Sequence, residues 1–287
     1  MRIGRHMPLN ANAIKATEIA QRIGCNAIQI FASNPTAWKP PLNGEEQSLA
    51  FAEAARTQGL EPVVLHAPYL INLASLDEPI WEKSIALLSW TLQRGNLLGA
   101  SSVVFHIGSH KGAGVESGVA RITEALQRIL PETPPEVTLL LENSVGAGNS
   151  LGGAFEHLAA VLNNLPDYQS RLGVCLDTAH LWGAGYNIGT TASTLEVLHH
   201  FEHTVGLERL KVLHLNDTEK ALNSHRDVHS RIGEGCIGLE GLSTLLNDPR
   251  LAHIAVILET PIKLTAAGKE DWEHDKWHLE QVKLLIK

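Results

Sequence analysis

The sequence predicts one α/β domain over residues 1–287, closed as a parallel (β/α)8 TIM barrel. Three observations lead to this. Eight short apolar runs recur along the chain, and segments of helical period separate them. The runs do not alternate with polar residues, which is how strands read when both faces are covered. At 287 residues the chain is long for an ordinary domain but suits one barrel, which commonly takes about 250. No repeat, low-complexity run or Pro/Ser-rich linker divides it.

The elements follow in order. "RIGRH" (2–6) leads into a helical segment over 10–24 that opens on Asn10, a suitable N-cap, and closes on Gly24, a C-terminal stop. "AIQIF" (27–31) leads into 45–59, built the same way. "PVVLH" (62–66) precedes a helix near 78–98, "SVVFH" (102–106) one near 115–130, and "VTLLLE" (137–142) one near 151–164. "LGVCLD" (172–177), "LKVLHL" (210–215) and "IAVILE" (254–259) precede helices near 191–206, 240–247 and 270–286. Strand and helix in strict alternation imply a parallel sheet. The alternative closure is a doubly wound open sheet, but no Gly-x-Gly-x-x-Gly follows the first run, so a dinucleotide site is not expected.

The formal charge of −8 argues against a simple basic nucleic-acid binder, though not against a protein that carries its positive charge as metal ions. Cys25, Cys175 and Cys236 are odd in number and form no CxxC pair. They read as small buried hydrophobes in a reducing cytoplasm. "MRIGRHMPLN" has no apolar h-region, so no signal peptide is expected. No apolar run approaches the roughly 18 residues of a membrane span.

The chemistry gathers at the strand ends. Six consecutive strands finish on a potential metal ligand: His66, His106, Glu142, Asp177, His214 and Glu259. In a barrel these converge on the C-terminal face, where barrel active sites are built. Such a crowd of carboxylates and imidazoles needs divalent cations to balance it. His180 lies three residues after Asp177, and "DVH" places Asp227 and His229 in the loop after the seventh strand, on the same face. Nine donors exceed the about four that one ion takes and suit two or three. Nitrogen and oxygen donors without cysteine favour zinc, with manganese or iron as alternatives. Three Zn²⁺ would move the formal charge from −8 to about −2 and leave the pocket at about +2 against its four carboxylates, which suits a phosphate. Of the other histidines, His6 ends the first strand and is a candidate for the pocket wall. His110 and His225 fall in loops on the site side, and His253 at the wrong end. His157, His199, His200, His203, His274 and His278 fall in helices and are expected to be solvated.

The chain resembles the endonuclease IV family of apurinic/apyrimidinic (AP) endonucleases over essentially its full length. The resembling stretches are "HAPYLINLAS" (66–75), "FHIGSHKGAG" (105–114), "LENSVGAGNSLG" (141–152), "GVCLDTAHLWGAGYNI" (173–188), "VLHLNDTE" (212–219), "RDVHSRIGEGCIG" (226–238) and "ILETP" (257–261). The resemblance implies three Zn²⁺ ions. His66, His106 and Glu142 would hold one, and Glu142 would bridge to a second shared with Asp177, His214 and Glu259. His180, Asp227 and His229 would hold the third. It also implies a cytoplasmic, monomeric DNA-repair enzyme acting on double-stranded DNA with abasic or 3′-blocked sites. A metal-activated hydroxide would cut 5′ to the lesion, leaving a 3′-hydroxyl. Glu142 and Glu259 would be the catalytic carboxylates, with Glu259 orienting the nucleophile. Tyr69 and Leu70 would form an apolar wedge in the minor groove. Lys39, Lys111 and Arg231 would face the DNA backbone.

Two positions depart from the family pattern. Val228 stands where members commonly carry an arginine between the two ligands, and Arg226 or Arg231 is the substitute on offer. Thr36 stands where some members carry an intercalating arginine. The strongest rival is a one-metal sugar or sugar-phosphate isomerase on a related barrel, which would use only Glu142, Asp177, His214 and Glu259. The other five donors favour the nuclease. A lesion-binding protein without turnover would need a lost ligand, and none is missing.

Overall fold

The computed structural model describes residues 1–8, 13–41 and 44–287. Its strands are β1 (Arg2–His6), β2 (Ala27–Phe31), β3 (Val63–His66), β4 (Ser102–His106), β5 (Thr138–Glu142), β6 (Leu172–Asp177), β7 (Leu210–His214) and β8 (Ala255–Leu258). They pair in chain order, every pair parallel, and β8 pairs with β1 to close the barrel. The open-sheet alternative is thereby overturned. The expected strands are all present, each end within a residue of its expected place.

Among the described residues the helices are α1 (Ala13–Arg22), α2 (Glu45–Thr57), α3 (Glu78–Leu97), α4 (Val115–Ile129), α5 (Phe155–Asn163), α6 (Thr178–Gly183), α7 (Thr191–Thr204), α8 (Leu239–Asn247) and α9 (Trp272–Lys283). The one not expected, α6, is a short turn of helix packed straight onto the end of β6. Asn10 lies outside the described residues, while Gly24 takes φ +94° after α1, as a C-terminal stop does. The Asp77 side chain accepts from the Ile80 N–H to cap α3, with Pro79 in its first turn. Thr190 and Ser193 cap α7 reciprocally. α5 begins at Phe155 rather than near 151, because the Gly152 carbonyl is used by the Ser144 N–H and keeps that stretch as loop.

Two expectations fail. His278 is buried, not solvated: α9 turns it inward, and its Nε2 accepts from the Ile232 N–H at 3.1 Å. Cys236 is exposed, not a buried hydrophobe, whereas Cys25 and Cys175 are buried as expected. His199, His200 and His203 are exposed on α7, and His157 and His274 are half-buried.

The barrel interior explains why the site forms where it does. One buried layer holds Ala27, Val64, Val104, Leu140, Cys175, Val212 and Ile257, one from each of β2 to β8. Gly4 of β1 completes the ring, in register with Ala27. A strand's side chains repeat on one face every two residues. The residues two further on therefore stack above this layer: His6, Gln29, His66, His106, Glu142, Asp177, His214 and Glu259. The outward-facing residues, such as Leu65, Phe105, Leu141 and Leu213, join the large core under the helices. No helix among the described residues is long and apolar enough to cross a membrane.

Gly4 is required by close approach. A Cβ there would lie 2.1 Å from the Ala27 carbonyl oxygen. Gly4→Ala should therefore force β1 away from β2 and lower stability by about 3 kcal/mol, the upper range of overpacking costs. Urea denaturation monitored by tryptophan fluorescence checks it.

Candidate metal centre

Above the apolar layer the floor of the barrel mouth carries charge that solvent does not reach. Glu142 is 1 % exposed, and Asp177 and His214 are fully buried. The Glu142 carboxylate faces imidazoles on every side. Its Oε2 lies 3.2 Å from His66 Nε2 and 3.5 Å from His106 Nδ1, and its Oε1 lies 3.0 Å from His214 Nδ1 and 3.6 Å from His180 Nδ1. Donor atoms fall within 4.8 Å of one another in four overlapping groups that can hold a cation, three of them without cysteine: His66, His106 and Glu142; Glu142, Asp177, His214 and Glu259; Asp177, His180 and His229. Asp227 joins the last group, 3.3 Å from both His180 Nε2 and His229 Nε2. Asp177 thus reaches two groups, its Oδ2 lying 3.5 Å from His229 Nε2. Cys175 also lies within reach of Glu142 and His214. Burial pushes its thiol up to about 12, so it stays a neutral filler of the layer below.

His66, His180 and His214 are each aimed by a neighbour. His66 Nδ1 sits 2.7 Å from the Ala67 carbonyl and His180 Nδ1 sits 3.0 Å from the Asn143 carbonyl. A carbonyl only accepts, so in both rings Nδ1 carries a proton, and Nε2 is left to face the carboxylates, as a donor without metal and as a lone pair towards a bound ion. His214 is turned the other way. Its Nε2 sits 2.9 Å from Gln29 Oε1, leaving Nδ1 towards Glu142 and 3.3 Å from Glu259 Oε2. Gln29 Nε2 in turn donates to Glu259 Oε1 at 2.6 Å. His6 closes this side, with Nδ1 3.0 Å from Glu259 Oε1 and 2.8 Å from Gln29 Nε2. Ring nitrogens that converge with carboxylate oxygens, and a buried His229 Nε2 with no hydrogen-bond partner, are the donor chemistry a divalent ion takes. The residues fit such ions.

Several of these partners were not anticipated. Gln29 is a buried amide inside an apolar run, and a polar group in a strand covered on both faces must find a partner. That was the available signal. Asn143 and Asn216 follow strand ends. Asn143 Oδ1 accepts from the Asp177 N–H at 2.6 Å, and Asn216 Nδ2 donates to Asp177 Oδ2 at 2.6 Å. Asp177 also caps α6, accepting from the His180 N–H at 2.8 Å, so capping itself delivers His180 to the site. Asp217 organises the loop after β7. Its carboxylate accepts from the backbone N–H groups of Thr218, Gly233, Gly235 and Ile237. A Cβ on Gly235 would lie 2.3 Å from Asp217 Oδ1, so only glycine fits there.

The other expected site residues occupy the rim. Tyr69 is 55 % exposed, with its ring centroid 5.4 Å from those of both Phe31 and His66. Leu70 is half-buried beside it, and Lys39 and Lys111 are exposed. Thr36 turns inward on its own loop, with its N–H and hydroxyl both on Asn34 Oδ1. Arg226 is exposed, whereas Arg231 is largely covered, with Nη1 3.4 Å from Glu234 Oε2. His225 Nδ1 contacts the Val145 carbonyl at 2.8 Å and ties this loop to the one after β5. His253 sits at the opposite end, on the Leu210 carbonyl.

Fold and donor set together define the class, a barrel with side chains able to hold metal ions on its C-terminal face. A family model described as "Xylose isomerase-like TIM barrel" matches residues 17–282. Within it the chain belongs to the endonuclease 4 family. It is 41 % identical to the probable endonuclease 4 of Halothermothrix orenii over 91 % of this chain and 94 % of that protein. It is 40 % identical to that of Chloroflexus aggregans over 100 % and 98 %. The crystal structure of endonuclease IV from Thermus thermophilus superimposes with a TM-score of 0.84 at 36 % identity, covering 99 % of this chain and 98 % of that one. A D-psicose 3-epimerase from Clostridium cellulolyticum matches with a TM-score of 0.73 but 15 % identity over 99 % of both chains, which is a likeness of fold alone.

Without metal the site holds protons in place of cations. Burial alone would depress His180 and His229, but the charge of Asp177 and the close approach of the Asp227 carboxylate, 3.3 Å from each Nε2, outweigh it. They push His180 up to about 10 and His229 up to about 9. Against burial, the imidazoles hold Glu142, Glu259 and Asp227 well below the usual carboxylate range. Folded metal-free protein therefore binds more protons than unfolded chain between about pH 6.5 and 10, so its stability falls as pH rises through that window. The carboxylate contribution is present above about pH 4 and is lost on acidification. Each pKa unit is about 1.4 kcal/mol, and each kcal/mol moves the midpoint of a chain this size by about 2 °C. The thermal midpoint of chelator-treated protein should fall by more than about 5 °C from pH 6.5 to 10, and that of zinc-loaded protein by less. Equal slopes would mean the imidazoles are not held as cations.

Asp217→Ala should strand four loop N–H groups and release Asp227 and His229 from their places. Limited proteolysis should then cut within 218–237 at least about tenfold faster, since loop opening of a little over 1 kcal/mol suffices.

Proposed function

We propose that this chain is a metal-dependent DNA-repair endonuclease. It hydrolyses the phosphodiester 5′ to an abasic site in double-stranded DNA, leaves a 3′-hydroxyl, and trims blocked 3′ ends. The observation that carries this reading is the overlap of three donor groups on one barrel mouth. A one-metal isomerase needs only the group of Glu142, Asp177, His214 and Glu259. His66, His106, His180, Asp227 and His229 would be surplus to it, yet each is aimed at the same space.

In this reading the residues would hold three Zn²⁺ ions, one at His66, His106 and Glu142, one at Glu142, Asp177, His214 and Glu259, and one at His180, Asp227 and His229, with Asp177 in reach. When bound, such ions supply Lewis-acid activation of water and charge neutralisation at a phosphodiester. The protein does the placing. Glu142 spans two groups, one oxygen towards His66 and His106 and the other towards His214. Glu259 keeps its carboxylate fixed by Gln29 and His6, which suits it to orient the attacking water. Tyr69 projects from the rim and Leu70 backs it, a wedge suited to the minor groove. An abasic nucleotide has no base to unpair, so drawing it into the mouth costs little. In this reading Lys39, Lys111 and Arg226, all exposed, meet phosphates, Arg226 taking the part that Val228 cannot. Arg231 reaches the backbone only if it leaves Glu234. The working unit is a cytoplasmic monomer.

The test is a duplex with one tetrahydrofuran abasic analogue, which cannot undergo β-elimination. A chelator-sensitive nick on its 5′ side with a 3′-hydroxyl is expected. Glu142→Gln and Glu259→Gln should each lower kcat by about a thousandfold. Tyr69→Ala should raise KM about tenfold with metal content unchanged. An intact strand from protein shown to hold three metals would overturn the reading in favour of a sugar isomerase.

A further inference from the structure

Behind β1, on the side away from the barrel axis, lies a buried ionic group that none of the chemistry above uses. Strand alternation turns His6 into the mouth and Arg5 outward beneath α9. Arg5 is 3 % exposed, and its guanidinium grips a single residue. Nη1 donates to Thr260 Oγ1 at 3.0 Å and Nη2 to the Thr260 carbonyl at 2.6 Å. The remaining nitrogen, Nε, faces Asp275 Oδ2 of α9 at 3.5 Å, and Asp275 is also buried. Burial pushes the Asp275 carboxyl up, and the charges of Arg5 and then of Arg231, two residues past His229, only partly offset it.

Thr260 directly follows Glu259, and both lie past the last residue of β8. A rigid fork that takes both the side chain and the carbonyl of one residue sets the orientation of that peptide as well as its position. On the other side, the N–H of Glu259 donates to Asn216 Oδ1 at 3.0 Å. The backbone is thus held immediately before and after the Glu259 side chain.

We infer that Arg5 and Asp275 are positioning residues for Glu259. Arg5 sets the Thr260 peptide and Asp275 keeps Arg5 in place, so the C-terminal helix contributes to the geometry of the metal centre. This rests on reading Glu259 as a metal ligand.

A merely structural ion pair makes a different prediction. Removing one member of a buried pair destabilises, while replacing both by apolar groups of similar size is often close to neutral. Arg5→Met, the double variant Arg5→Met/Asp275→Leu, and Arg5→Lys are therefore compared with wild type. The measurements are the thermal midpoint, the rate of zinc release to a chromophoric chelator, and kcat and KM on the tetrahydrofuran duplex. The double variant is expected to regain most of the midpoint lost in Arg5→Met. It should still release one zinc about tenfold faster or more and show kcat about tenfold lower or more, with KM within about twofold. Arg5→Lys keeps the charge but not the fork. It should fold yet show the same two defects, and it carries the test if the double variant does not fold. Wild-type zinc retention and kcat in a folded variant would overturn the inference. Wild-type protein that holds no zinc would instead overturn the reading of the centre itself.

Discussion

Glu142 is the constraint on which the rest of the site depends. A carboxylate 1 % exposed cannot remain ionised without compensation, since burying an unpaired charge costs several kcal/mol. Four imidazoles from β3, β4, β7 and α6 supply that compensation through ring nitrogens 3.0 to 3.6 Å away. Positive charge is thus required at the barrel mouth, whether it arrives as protons or as ions. Glu142 is stable only if its neighbours are ligand-like, and those neighbours converge only because the barrel closes.

Neutral amides do much of the aiming. Gln29 fixes His214 and Glu259 at once, the Asn143 amide holds Asp177 while its backbone carbonyl takes His180, and Asn216 ties Asp177 to the backbone of Glu259. Each links two elements, so the ligand set behaves as a network whose members share partners. An amide can both donate and accept without adding charge. That matters where every further carboxylate would need another cation.

The loops are held by carboxylates that look alike in sequence but do different work. Asp177 caps α6 while facing His229, whereas Asp217 gathers four backbone N–H groups and faces no metal group. Burial and register separate the two. A D-psicose 3-epimerase shares this fold at 15 % identity, and a fold does not by itself fix function, which lies in the site built on it.

The eight strands, their order and the convergence of His66, His106, Glu142, Asp177, His214 and Glu259 were legible in the sequence. Uninterrupted apolar runs ending in a ligand are a local pattern, and parallel closure turns that pattern into proximity. His180, Asp227 and His229 were legible from their loop positions. Gln29, Asn216, Asp217 and the Arg5–Thr260–Asp275 contact were not. Their partners lie 230, 43, up to 20 and 255 residues away, and nothing in a run of letters reports which distant group an amide or guanidinium meets. His278 and Cys236 failed for the same reason, since which face of α9 or of a loop is covered depends on what packs over it. By itself the sequence determined the barrel and the donors at its mouth, because two-residue periodicity and residue chemistry are local. The tertiary structure alone decided how those donors are aimed, because orientation comes from buried hydrogen bonds between elements that only the closed barrel brings together.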